Sequence, residues 1–300
     1  MNIIENGLTN TLCPYLAKPL TSIHPTNKEH VFPVALGAPE SFSVEASLSE
    51  NDRLNTLVDA PVTNDPLVKF LCMITEIKTR SGVVESTLEG TTQSGEKFTA
   101  NVNKNTVTLK HRNPVIKDKV TKKTLGVRGF ADGAFLEADR LIQGLAAKNR
   151  ELPPEGMIIE QHTLNQNMSF TSDLLLLRRE AIKTAYLLTV KAFGDHAINS
   201  KSGRIFRAAI EANTNKALEE TGLFLRNLPA DHYKFDPPMS RHQHLFMTSL
   251  DDDQLFTQVI FFGGISFAFS TPREDISLEN TSFGKLVDAS RRCFINNTGE

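Results

Sequence analysis

Glu29 and His30 stand side by side in Lys28-Glu29-His30-Val31-Phe32-Pro33, and Asn51 follows about twenty residues later. An acidic residue next to a His on a short apolar strand, with an Asn further on, can make a metal-dependent nuclease site. The His acts as general base on a water, the carboxylate holds a divalent cation, and the Asn fixes the ring. An imidazole with an ordinary pKa near ~6.5 suits proton abstraction at neutral pH. The plain alternative gives these residues structural work. Asn51 and the later Asp59 are then helix-capping polar groups, and Glu29 pairs with Lys28 or Arg53.

The elements that must position this group are short. Residues 29–33 predict a strand ending at Pro33, and Leu36-Gly37-Ala38-Pro39 a loop. Ser49 to Leu57 predicts a helix with Ser49 as N-cap, and Pro61 lies just past its end. Asp65-Pro66 is a turn or the N-cap of a second helix. Residues 81–116 alternate apolar and polar positions and predict antiparallel strands. Helices are expected at about 132–148, 170–193 and 205–221, and strands again at 244–270 with a turn at Asp251-Asp252-Asp253. The class is α+β: a small N-terminal ββα module over 1–65, then a mixed helical and antiparallel β body over 66–300.

Composition narrows the setting. The chain has 300 residues, 40% hydrophobic and 23% charged, enough to bury a core. A net charge of −2 provides no global attraction to nucleic acid, so such contact needs a local basic patch. No secretory leader and no membrane span are expected. Cys13, Cys72 and Cys293 are scattered, as in a reducing cytosol, so a cytoplasmic location is expected.

The order Glu29-His30, Pro33, Leu36-Gly37, Asn51 and Val58-Asp59-Ala60-Pro61 resembles the HNH, or His-Me finger, endonucleases. The subgroup it resembles carries Cys-x-x-Cys, then Glu-His-hydrophobic-hydrophobic-Pro and Leu-Gly, then Cys-x-x-Cys-Asn. Lys183-Thr184-Ala185-Tyr186, Gly194 and Phe262-Gly263-Gly264 match later, less specific stations. The resemblance implies a phosphodiester hydrolase using Mg²⁺ or Mn²⁺, hard cations that take oxygen ligands. It assigns His30 and Asn51 as catalytic residues and Glu29 and Asp59 as metal ligands. It further implies a nucleic acid as partner, DNA or RNA with DNA preferred, and a bacterial defence role with a possible protein partner.

The departures are specific. Of the four cysteine stations only Cys13 remains, the others being Leu16, Ser47 and Glu50. No structural zinc is expected, since a tetrahedral site needs four donors. Apolar packing by Leu12, Leu16, Phe42, Leu48, Leu54 and Leu57 is expected to hold the module instead. A catalytically inactive relative that binds nucleic acid or a protein is the main rival reading, and an unrelated α+β protein the third.

Lys117, Lys119, Lys122 and Lys123, together with Arg178 and Arg179, are the candidate nucleic-acid contacts. Such a run is otherwise a solvated face. His242 and His244, two apart, are read as a half-exposed strand pair.

Overall fold

The structure, a computed structural model, describes residues 2–3, 7–78, 85–92, 95–103, 107–148, 156–162, 172–226, 239–251, 253–274, 276 and 281–295. It is α+β and divides into two compact units. The first joins Met1–Val83 to Asp173–Glu300, and the second is the insertion Val84–Ser172. The division therefore does not fall near residue 65. The N-terminal segment shares one apolar core with the C-terminal half of the chain.

In the first unit, strand Thr26–His30 pairs antiparallel with Ser43–Ser47, Glu29 facing Val44 across the ladder. Val31, Phe32 and Phe42 between them are buried. The Phe32 ring meets those of Phe246 and Phe261 on the large sheet. Gly37 turns the connection at φ +97°, and a Cβ there would lie 2.5 Å from the Ala289 carbonyl oxygen. Only glycine fits that approach.

Helix Leu48–Leu54 follows directly, so its N-cap is Ser47 rather than Ser49. It does not stop before Pro61. A π-helical turn, Asn55–Asp59, carries it into Ala60–Asn64. Proline lacks the N–H for a regular helical bond and crowds the carbonyl four residues back. The widened turn comes just before it and absorbs both effects. Asp65 then caps Pro66–Ile74, its Oδ1 accepting from Leu67 N at 2.9 Å and Val68 N at 3.4 Å.

Helix Leu174–Phe193 is the centre of this unit. Asp173 caps it, and it ends at Gly194, φ +58°. It is buried on nearly every side from Leu177 onward, against the large sheet and helix Lys201–Glu211. A helix apolar all round belongs in a core, so its buried Glu180 and Lys183 require partners. Residues 205–221 form two helices instead of one, Lys201–Glu211 and Asn215–Glu219. Thr214 makes the break, its Oγ1 accepting from Ala217 N at 3.1 Å as a new N-cap.

The large sheet runs Asn2–Ile3, Thr281–Asp288, Gln243–Leu250, Gln254–Phe261, Ile265–Pro272, Phe224–Leu225, with Cys293–Phe294 added on Thr281–Asp288. Its middle four strands are antiparallel. Asp251 and Gln254 close the expected hairpin, with Asp252 outside the described residues.

The second unit holds the antiparallel strands Glu85–Thr91, Lys97–Asn103 and Val107–His111. A second sheet pairs Val115–Lys117 with Thr124–Phe130, and Thr124–Phe130 in parallel with Ile158–His162. Helix Gly133–Ala146 is the crossover between the parallel strands. Within the expected elements, residues 81–84, 93–94, 104–106 and 170–171 lie outside the described residues.

Candidate functional site

Lys28, Glu29, His30, Asn51 and Asp59 line one open cleft of about 500 Å³ in the first unit. The strand brings in Lys28, Glu29 and His30, and the helix after the hairpin brings in Asn51 and Asp59. His30 stands at the rim. Its Nε2 lies 3.3 Å from Glu40 Oε2, and the Glu40 side chain is 83% exposed. Water can replace such an exposed carboxylate. Asn51 does not touch the ring. Its Nδ2 donates to the Lys28 carbonyl at 3.4 Å, so it ties the helix start to the strand that carries His30.

Glu29 and Asp59 point inward, onto a residue that the charge pattern near the N-terminus does not reveal. Lys183 Nζ, on the central helix, lies 2.6 Å from Glu29 Oε1 and donates to Asp59 Oδ1 and Oδ2 at 2.6 and 2.7 Å. Tyr15 Oη donates to the same Glu29 Oε1 at 2.9 Å. Arg53, which with Lys28 is one of the two partners the plain reading offers Glu29, is held by Glu50 and Glu211. The Tyr15 segment is fixed in turn, because Tyr186 Oη donates to the Pro14 carbonyl at 2.5 Å and Arg207 donates to Tyr186 Oη at 2.8 Å.

Burial and charge set the protons in this group. Desolvation pulls Lys183 down, but the neighbouring carboxylates, Glu29 first and then Asp59, raise it, and the ammonium stays charged. Burial raises Glu29, with Lys183 opposing and Asp59 adding. Glu180 is raised well above the usual carboxyl range, by burial and then by Asp59. Glu180 Oε1 accepts from Thr184 Oγ1 at 3.1 Å, and its Oε2 is buried with no hydrogen-bond partner, an environment that disfavours the charged form. Glu180 is therefore the protonated member, and Lys183 bridges Glu29 and Asp59.

This arrangement decides how a divalent ion fits. The ammonium stands where an ion shared by Glu29 and Asp59 belongs, and its side chain is 1% exposed. The two carboxylates do not fit such an ion while Lys183 is in place. They fit a fixed monovalent cation and hold the wall of the cleft.

Ser47 N donates to Cys13 Sγ at 3.5 Å. Leu16 does not take up packing there, being 38% exposed, and Leu57 is 41% exposed. Leu36, Phe42, Val44, Leu54 and Val58 supply the core.

The basic candidates fall in different units. Lys117, Lys119, Lys122 and Lys123 are exposed on one tight turn of the insertion. Asp118 builds that turn, its Oδ1 accepting from Val120 N at 3.0 Å and Thr121 N at 2.6 Å. Arg178 and Arg179 belong to the first unit. Arg178 donates to Asn215 at 2.9 Å, and Arg179 donates to the Ile210 carbonyl at 2.9 and 3.1 Å, which ties two helices together.

His242 and His244 are not a half-exposed pair. His244 is fully buried, with Nε2–H donating to the Leu36 carbonyl at 2.9 Å and Nδ1 accepting from Phe262 N at 2.8 Å. Burial lowers it to about 4, so it is neutral. His242 precedes the strand, and its Nδ1 donates to the Thr75 carbonyl at 2.8 Å. Among the described residues no helix is long and apolar enough to cross a membrane. Comparison with protein-family models, curated proteins and solved structures finds no match to this chain.

Proposed function

We propose that the cleft binds and hydrolyses a nucleic-acid phosphodiester, DNA in preference to RNA, with His30 taking the proton from the attacking water. One observation carries this reading: His30 and Lys28 share an open cleft with Asn51, Glu29 and Asp59. His30 Nε2 needs only to release the exposed Glu40 to reach a water. The Lys28 ammonium, beside it, is the charge available to a phosphate oxygen. Asn51 keeps the strand in place under the ring, and the Glu29–Lys183–Asp59 group fixes that wall from behind. Bacterial defence and the cytoplasm, the setting that the HNH resemblance implies, form part of the same proposal.

The Lys183 bridge favours a second reading, in which the site has lost turnover and binds nucleic acid or a protein only. The experiment incubates the full chain with plasmid DNA and with RNA under Mg²⁺, Mn²⁺ and Ni²⁺. His30→Ala should reduce cleavage by ~10²–10⁴, the usual loss with a general base, with an unchanged circular dichroism spectrum. Equal cleavage by wild type and His30→Ala removes His30 from the chemistry. A folded wild type that cleaves neither substrate with any of the three ions leaves the binding reading.

A further inference from the structure

We infer that Glu96, His111 and His162, in the inserted unit, form a binding site for a first-row divalent transition metal such as Zn²⁺. One donor atom from each lies within 4.8 Å of the others. Glu96 Oε2 is 4.0 Å from His111 Nδ1 and 3.7 Å from His162 Nε2. Both separations are too long for a hydrogen bond. They are close to the roughly 3.4 Å between two ligands of a tetrahedral ion bound at about 2.1 Å.

The fold positions each donor. Glu96 directly precedes strand Lys97–Asn103, and His111 ends strand Val107–His111, opposite Phe98. His162 ends strand Ile158–His162, opposite Phe130. The His111 ring lies flat on Phe130, 4.3 Å between centroids and 3° between planes, so its edge has one direction. His162 meets His111 edge-on at 4.7 Å.

A second observation points to a missing ligand. Glu96 Oε2 and His111 Nε2 are buried without a hydrogen-bond partner, and the His111 side chain is 1% exposed. Buried polar atoms are normally satisfied, and an ion held among the three donors gives Glu96 Oε2 the partner it lacks; on His111 it is Nδ1, not the orphaned Nε2, that lies 4.0 Å from that oxygen. Arg128 contacts the other oxygen, Glu96 Oε1, and lies 3.5 Å from Glu160 Oε2. It therefore orients the carboxylate from outside, leaving Oε2 for the metal. With neutral imidazoles, Glu96 and Glu160 against Arg128 leave one net negative charge. Two imidazoles with one carboxylate suit zinc or iron better than magnesium, and three protein donors leave a position open to water or substrate.

The test uses the full chain, stripped with chelator and titrated with Zn²⁺, followed by calorimetry and metal analysis of the dialysed protein. Co²⁺ loading adds a visible absorption readout of coordination. One Zn²⁺ per chain is expected, with binding weakened roughly 100-fold or more in His162→Asn and in Glu96→Gln, and unchanged in His30→Asn. Where Glu96→Gln fails to fold, the partly exposed His162 carries the test alone. No Zn²⁺ retained by folded wild type overturns the inference, as does equal binding by wild type and folded His162→Asn. Loss in His30→Asn with retention in His162→Asn places the metal in the other cleft and overturns it too.

Discussion

Glu29 Oε1 and Lys183 Nζ are 2.6 Å apart, one on a strand near the N-terminus and the other in the middle of a buried helix. Asp59 completes the bridge from the π-helical turn. A buried ammonium with two carboxylates is costly to take apart, because removing one member strands the others away from water.

Lys183→Met is therefore expected to destabilise the protein by about 3–5 kcal/mol, the usual cost of breaking a buried pair. Adding Glu29→Gln and Asp59→Asn should restore part of this, since neutral amides need no counter-charge. Urea unfolding of the single and triple variants measures both. A single variant as stable as wild type contradicts the bridge.

Glu180→Gln should behave in the opposite way at neutral pH. The folded protein holds the Glu180 proton well above the ordinary value of 4.5. Its contribution to stability is full below that ordinary value and is lost as pH rises toward the folded one. A glutamine cannot ionise, so the variant should gain on wild type between pH 5 and pH 8, and unfolding curves over about that range measure it. Parallel curves show that Glu180 is ionised in the fold.

His244 gives the reverse sign. Unfolded, its imidazole takes a proton near 6.5, and folded only at about 4. The unfolded chain binds more protons between these values, so stability is full above about 6.5 and falls on the way down to about 4. That difference amounts to on the order of 3 kcal/mol. His244→Gln should flatten this limb of the profile. A wild-type limb already as flat as the variant's shows that His244 is not held neutral.

Asn51→Ala tests positioning. The bond to the Lys28 carbonyl is long and exposed, so its loss should cost no more than about 1 kcal/mol of stability. The proposed cleavage rate should fall less than in His30→Ala, with no change in its pH profile, because Asn51 holds the strand and leaves the imidazole untouched. A changed profile gives Asn51 a direct part in proton transfer.

Lys117→Ala combined with Lys123→Ala tests the basic turn. Nucleic-acid affinity should drop and its salt dependence flatten, because fewer counterions are released. Unchanged affinity and slope remove the turn from the interface.

The α+β class and most helix positions are legible in the sequence, because periodicity and a cap such as Asp65 are local signals. The proposed grouping of Glu29, His30, Asn51 and Asp59 is legible too, and the structure gathers them at one cleft. Lys183 is not legible as their partner, since it lies 124 residues from Asp59. A signal exists all the same. A lysine inside Ala181-Ile182-Lys183-Thr184-Ala185 sits where a buried helix has no exposed face, and such a lysine requires a carboxylate. The unit boundary stays hidden because it depends on Phe32 meeting Phe246, a contact between distant segments. The cluster of Glu96, His111 and His162 is hidden for the same reason, its members coming from two strand ends and the residue before a third strand.

The insertion of residues 84–172 also sets an order of events on the ribosome. Glu29 and Asp59 leave the exit tunnel long before Lys183 has been made, and the strands that cover Phe32 come later still. The N-terminal segment must therefore wait, its carboxylates hydrated and its phenylalanines uncovered, while the inserted unit has its complete sequence and can fold first. A truncated chain that stops before residue 183 lacks the counter-ion for its own first strand. Such a fragment keeps charged and apolar side chains uncovered, the condition under which chaperones and proteases act on a chain.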